Sequence, residues 1–207
     1  MIITIGRQLG SGGREIGKKL AEALNFAYYD KELLEITAKE SGLNRNLFEQ
    51  ADESAQKGIT TGLFGMRFPL LSDVLTYGGI SHEMLFQIQS DVIRKLAEKQ
   101  SCVFIGRCAD YILRDRIDCL SVFLCANEED RVKRIIAYHE KKNMTVEKAR
   151  DLMEQVDKKR STFYNYYSNK TWGVAATYDV CLNSSVFGVD GVVSLLKAIA
   201  EKRSKIP

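Results

Sequence analysis

The opening residues constrain this chain more than any others. "IITIGRQLGSGGREIGKKLAEAL" passes from a β-branched apolar run, through a stretch rich in glycine, into helical periodicity. Branched side chains fit a pleat covered on both faces, so Ile2 to Gly6 reads as a buried strand. Ile16, Leu20, Ala21, Ala23 and Leu24 then recur at helical spacing between Arg14 and Leu24. Residues without a Cβ at a helix start bare the backbone N–H groups, and the helix dipole adds favourable potential for an anion. Gly10, Ser11, Gly12 and Gly13 are therefore predicted to form an anion nest.

Short apolar runs at Phe26–Tyr29, Cys102–Ile105, Leu120–Cys125 and Tyr178–Leu182 read as further strands. Helical patterns cover Lys31–Glu40, Asn44–Ser54, Ser81–Lys99, Glu128–Lys141, Thr145–Tyr167 and Asp190–Lys202. Alternating strands and helices argue for an α/β fold with a parallel sheet covered by helices. The stretch from Gly58 to Gly79 differs, with five of the fifteen glycines and one of the two prolines, and reads as a loop or lid-like excursion.

Charge and cysteine usage narrow the functional classes. A formal charge of +3 favours anionic ligands in general without singling out nucleic acid. The five cysteines show no zinc-knuckle spacing, and His82 and His139 have no ligand-like partners, so no metal site is expected from protein side chains alone. Neither a basic-then-apolar leader nor a run of ~20 apolar residues is present, so a soluble cytoplasmic protein is the expectation, with no membrane partner. Oligomeric state has no signature.

The glycine loop departs from the P-loop pattern, which requires glycine, four residues, glycine, lysine and a hydroxyl residue. Gly6 and Gly12 are one residue too far apart, and Arg14 and Glu15 follow the last glycine. Arg14 can replace the lysine, because a guanidinium makes planar bidentate contacts to phosphate, with Lys18 one turn further on. Glu15, in place of the hydroxyl, either holds the metal or repels the nucleotide. A rival reading takes Gly6, Gly10 and Gly12 as the cofactor loop of a short-chain dehydrogenase, with Asp30 on the ribose of NAD and Tyr166 and Lys170 as its tyrosine–lysine pair. The long interval between Asp30 and Cys102 breaks the strand–helix alternation that this reading needs.

Basic residues recur at the predicted strand ends. "VFIGRCADYIL" sets Arg107 at the carboxyl end of a buried strand, where ligands sit in open parallel sheets, and Asp110 one turn later. "NEEDRVKRI" puts Arg131 and Arg134 on one helix face, and "VDKKRSTFY" does the same for Asp157 and Arg160. Tyr164, Tyr166, Tyr167 and Trp172 lie nearby, as core formers or as platforms for a base.

Taken together with "YYDKELL" and "YDVCLNSS", these segments resemble the nucleoside monophosphate kinases, and within them the cytidylate-kinase-like proteins, from Met1 to about Lys202. The resemblance implies a single P-loop NTPase-like domain over 1–207 with about five parallel strands and helices on both faces. It also implies an acceptor-site excursion at about 55–80 and a helical lid at about 142–172. ATP and Mg2+ are the implied cofactors and nucleotides the implied partners. Gly10, Ser11, Gly12, Gly13, Arg14 and Glu15 would bind the donor, and Asp30, Arg107 and Asp110 the acceptor. Arg14, Arg131, Arg134, Asp157 and Arg160 would surround the phosphate in transfer. Cys108 stands where the family carries an aspartate. The implied activity is phosphoryl transfer from ATP to CMP or a relative, and the alternative raised by Glu15 and the missing lysine is a nucleotide-binding regulator.

Overall fold

Ile2, Ile3 and Ile5 are almost wholly shielded from solvent because their strand is hydrogen-bonded on both edges. This strand, β1 (Ile2–Arg7), is the centre of a sheet completed by β2 (Ala27–Tyr29), β3 (Cys102–Ile105), β4 (Cys119–Cys125) and β5 (Val180–Asn183). The order is β2-β3-β1-β4-β5, and every pairing is parallel, as the alternating sequence pattern predicts. The computed structural model describes residues 1–30, 82–139 and 143–203. Its helices are α1 (Gly13–Leu24), α2 (His82–Lys99), α3 (Ala109–Ile112), α4 (Glu128–Tyr138), α5 (Val146–Ser168) and α6 (Ser184–Arg203), the last interrupted by a kink at Gly188.

Side chains alternate across the sheet and build two apolar layers. On one face Ile3, Ile5, Val103, Ile105, Val122 and Leu124 pack against Ile16 and Leu20 of α1 and Val192 and Leu196 of α6. On the other, Phe104 stacks on Tyr29 with ring centroids 5.4 Å apart, and Phe123 packs against Trp172 and Tyr178. Cys102 and Cys119 flank Ile2 from neighbouring strands, and burial pushes both thiols up to about 12. They act as small hydrophobes, as their apolar runs suggest.

The chain divides into two compact units, Met1–Lys31 with Leu96–Pro207, and Glu32–Lys95. The helices expected at 31–54 and the glycine-rich excursion at 55–80 lie outside the described residues. Among the described residues no helix is long and apolar enough to cross a membrane.

The strand order separates this sheet from the dinucleotide-binding arrangement. In that arrangement the second strand lies beside the first. Here β3 is inserted between them, so Asp30 at the end of β2 is one strand removed from the glycine loop's strand.

The layer between sheet, α1 and α6 sets the stability of this unit. Leu196→Ala, at a fully buried position, is expected to lose about 2–5 kcal/mol in urea denaturation. A loss under about 1 kcal/mol would show that the layer is not tightly packed.

Candidate active site

β1 lies between β3 and β4, so the chain reverses its direction of winding there, and the loops leaving the carboxyl ends diverge to open a crevice. The glycine loop borders it. Gln8 anchors that loop to β4: its backbone N–H donates to Leu124 O at 3.0 Å, and its Oε1 accepts from Ala126 N at 3.2 Å. Ser11 closes the turn by donating its N–H and its hydroxyl to Gln8 O. Gly12 caps α1 in the left-handed conformation, φ 78°, which a side chain disfavours. The first-turn amides that follow have no intrahelical acceptor, and a helix start of this kind favours an anion.

The loop's carbonyls are held from behind by three arginines. Arg131 on α4 donates Nε to Leu9 O at 2.7 Å and Nη2 to Asp157 on α5. Arg134 donates to Gly10 O and to Ser184 Oγ, each at 3.2 Å, and Ser184 in turn donates to Ser11 O at 2.8 Å. Arg160 donates to Arg7 O at 3.0 Å. Asp157 joins the set, accepting from Leu9 N at 2.8 Å and lying 3.6 Å from Arg160. Arg131, Arg134, Asp157 and Arg160, read from the sequence as one group, are thus brought together on the loop. They grip its backbone, and burial lowers the Arg160 guanidinium to about 10.

The second wall comes from β3. Gly106, Arg107 and Cys108 have φ of 71°, 64° and 54°, three successive left-handed residues of which two carry side chains. Left-handed backbone costs roughly 1–2 kcal/mol per residue with a Cβ, strain of the kind that clusters at functional sites. Across this turn runs Arg7, the last residue of β1. A Cβ added to Gly106 would meet Arg7 Nη1 at 2.0 Å, and one added to Gly13 would meet Arg7 Cβ and Cγ at 2.8 Å. Burial lowers the Arg7 pKa well below the usual arginine value, and the guanidinium groups of Arg160, Arg107 and Arg14 lower it further. The guanidinium groups of Arg14, Arg107 and Arg160 thus lie near that of Arg7.

The remaining sequence-predicted residues occupy distinct places. Arg14 is exposed at the start of α1 and pairs with the buried Asp30 at 3.6 Å. Glu15 is turned along α1 and pairs with Lys19 at 3.2 Å. Lys18 is exposed. Asp110 accepts a 2.6 Å hydrogen bond from Tyr164 on α5, and burial raises its pKa against that bond. Burial also pushes the Cys108 thiol up, leaving it protonated and unreactive at neutral pH. Tyr166 is exposed, whereas Tyr164 is buried and stacks on Tyr178.

Sequence reasoning missed Arg7, because it sought the loop's cation after the last glycine and not before the first turn. The available signal was a guanidinium closing an otherwise apolar strand. It also missed Ser184 and the loop-gripping geometry, which depend on tertiary contacts.

These guanidinium groups and the first-turn amides fit a polyphosphate. Among the described residues no group of three His, Cys, Asp or Glu side chains is placed to hold a metal ion. Magnesium needs no such cage, since it binds mostly to phosphate oxygens and water.

A family model described as the cytidylate kinase-like family matches residues 2–186. An uncharacterized protein from Eubacterium ventriosum ATCC 27560 shares the structure with a TM-score of 0.71 and 29% identity, over 97% of this chain and 98% of that one. A shikimate kinase from Bacteroides thetaiotaomicron shares the fold with a TM-score of 0.53 and 15% identity, over 97% and 98%. No curated protein matches.

Two outcomes follow from this geometry. Asp157→Asn, which leaves the Arg131 and Arg160 guanidinium groups without their carboxylate, is expected to lose about 3–5 kcal/mol in denaturant unfolding. A neutral effect would show that the loop does not depend on that contact. Burial, with Asp110 alongside, raises the Tyr164 pKa, so its protonated form favours the fold and that stabilisation is lost with rising pH. The stability gap between wild type and Tyr164→Phe is therefore expected to be widest below about pH 10 and to shrink above it. A gap that stays flat across that boundary in urea titrations would rule out the protonated bond.

Proposed function

We propose, from the premise that this chain belongs to the cytidylate kinase-like family, that it transfers the γ-phosphoryl group of ATP to a nucleoside monophosphate, CMP or a related one. One observation carries the proposal: bared amides of the α1 start and guanidinium groups from separate elements converge on one crevice at the carboxyl ends of a parallel sheet.

In the transfer, the bond between the γ-phosphorus and the β,γ-bridging oxygen breaks, and a bond forms from that phosphorus to an oxygen of the acceptor's phosphate. ADP leaves with the electron pair. The attacking oxygen is already ionised at neutral pH, so no general base is required. The protein's part is positioning and electrostatic stabilisation of charge on the oxygens in flight. Magnesium, carried on the nucleotide, neutralises phosphate charge.

The roles follow from placement. Amides at Gly12, Gly13 and Arg14, with the Arg14 side chain, bind the donor phosphates. Arg107, presented by the strained β3 turn, binds the acceptor phosphate, with Asp30 on the acceptor's side. Arg160 stabilises the group in transfer. Arg131, Arg134 and Asp157 act as positioning residues, fixing the loop carbonyls so that the amides face the ligand. Ser11 serves through its closure of the turn.

A second reading, a nucleotide-binding regulator, has one observation in its favour. The donors of Arg131 are engaged with Leu9 and Asp157, which leaves fewer cations for the transition state than the sequence suggests.

A panel of monophosphates with ATP and Mg2+, read by ADP formation, separates the two. Phosphoryl transfer predicts turnover with at least one pyrimidine monophosphate. Arg107→Ala is expected to lower kcat/KM by about 10²–10³. Tight binding of an ATP analogue with no turnover on any acceptor would assign the chain to regulation.

A further inference from the structure

We propose that Arg7 is a further phosphate-binding cation of this site, beside Arg14 and Arg107, and takes the place that the glycine-loop pattern gives to a lysine. For the identity of the anion, this rests on the phosphoryl-transfer reading above. The existence of the anion site does not.

The loop pattern sets its lysine directly after the glycine that opens the helix. Gly12 caps α1, so that position is 13, and it is glycine. The volume a side chain would fill there is occupied: an added Cβ would lie 2.8 Å from Arg7 Cβ and Cγ. Arg7 enters this space from the opposite direction, out of β1. Its guanidinium lies over Gly106, where an added Cβ would come within 2.0 Å of Nη1 and 3.1 Å of Cζ. The group therefore spans from the first turn of α1 to the left-handed turn of β3, bridging the two loops that flank the crevice. A side chain at 13 would collide with the Arg7 stem, and one at 106 would meet its guanidinium besides being disfavoured by φ of 71°.

Electrostatics argues for a ligand rather than for packing. Among the described residues, the guanidinium groups of Arg160, Arg107 and Arg14 all act unfavourably on the charge of Arg7. An apolar side chain of similar length would fill the same channel without that repulsion. A fourth guanidinium there is favourable once a polyanion is bound, and its planar donors suit two phosphate oxygens at once.

The test uses the full chain and inorganic tripolyphosphate, with Arg7→Met and Arg7→Lys as variants. Wild type is expected to bind tripolyphosphate in calorimetry and to melt at higher temperature in its presence. Arg7→Met is expected to melt no lower than wild type without anion, and to bind tripolyphosphate at least about tenfold more weakly. Arg7→Lys is expected to bind with intermediate affinity, because it keeps the charge and loses the planar fork. Wild-type affinity in Arg7→Met would overturn the assignment. So would a melting temperature of anion-free Arg7→Met far below wild type, which would make Arg7 a structural group. If wild type turns over no monophosphate, yet binds tripolyphosphate in a manner that Arg7→Met abolishes, the phosphoryl-transfer reading fails and the Arg7 assignment stands.

Discussion

The contact on which the site depends is the one between Asp157 and the glycine loop. A loop rich in glycine has little intrinsic preference for one conformation, and holding it open for an anion requires its carbonyls to be tied elsewhere. Asp157 accepts the Leu9 N–H and bonds Arg131, and Arg131 in turn donates to Leu9 O. Both polar groups of one loop residue are thus satisfied by a single ion pair. Arg134 and Ser184 hold the carbonyls of Gly10 and Ser11. The loop's carbonyls are thus tied to α4, α5 and α6, which fixes the turn that leads into α1.

This arrangement divides the arginines by task. Arg131 and Arg134 face carbonyls, where a guanidinium is compensated by partial negative charge and a carboxylate. Arg14, Arg107 and Arg160 each repel Arg7, and Arg160, which Arg14 and Arg131 repel in turn, belongs partly to each group. Repulsion within such a set raises the attraction for an incoming polyanion. Net charge concealed this division. The chain carries only +3 overall, and the positive potential comes from where the cations are, not from how many there are.

Much of the fold was legible in the residues, for identifiable reasons. Ile2–Ile5, Cys102–Ile105 and Leu120–Cys125 are short apolar runs, and such runs form buried parallel strands whatever lies between them. Cys102–Ile105 matched to the residue. The order of the strands was not legible, because the insertion of β3 between β1 and β2 is a tertiary choice with no local pattern. A helical pattern after Cys102–Ile105 was legible, and α3 follows there, though it is only four residues long. α6 begins at Ser184, well before the apolar repeat at Asp190, because a kink at Gly188 separates its first turn from the rest. In the site, helical spacing paired Arg131 with Arg134 and Asp157 with Arg160, the resemblance to a family joined the two pairs, and the structure gathers them. What spacing could not reveal was direction. Arg131 turns back to the loop, Glu15 turns along its own helix to Lys19, and Arg7 crosses two glycines to reach the crevice.

The helix α5 links these features through one of its faces. Asp157, Arg160 and Tyr164 follow at the three- and four-residue steps that line up on one side of a helix. Asp157 and Arg160 bond the glycine loop at Leu9 and Arg7, and Tyr164 bonds Asp110 in the segment that follows the β3 turn. Seven residues at ~1.5 Å each set the two attachment points about 10 Å apart along the axis. α5 therefore fixes the separation of the glycine loop and the β3 turn, and the residue whose side chain spans them, Arg7, has its carbonyl held by the same helix. A displacement of α5 alone would break the Leu9–Asp157 and Asp110–Tyr164 bonds. Displacing α5 and releasing the glycine loop are on this geometry the same event.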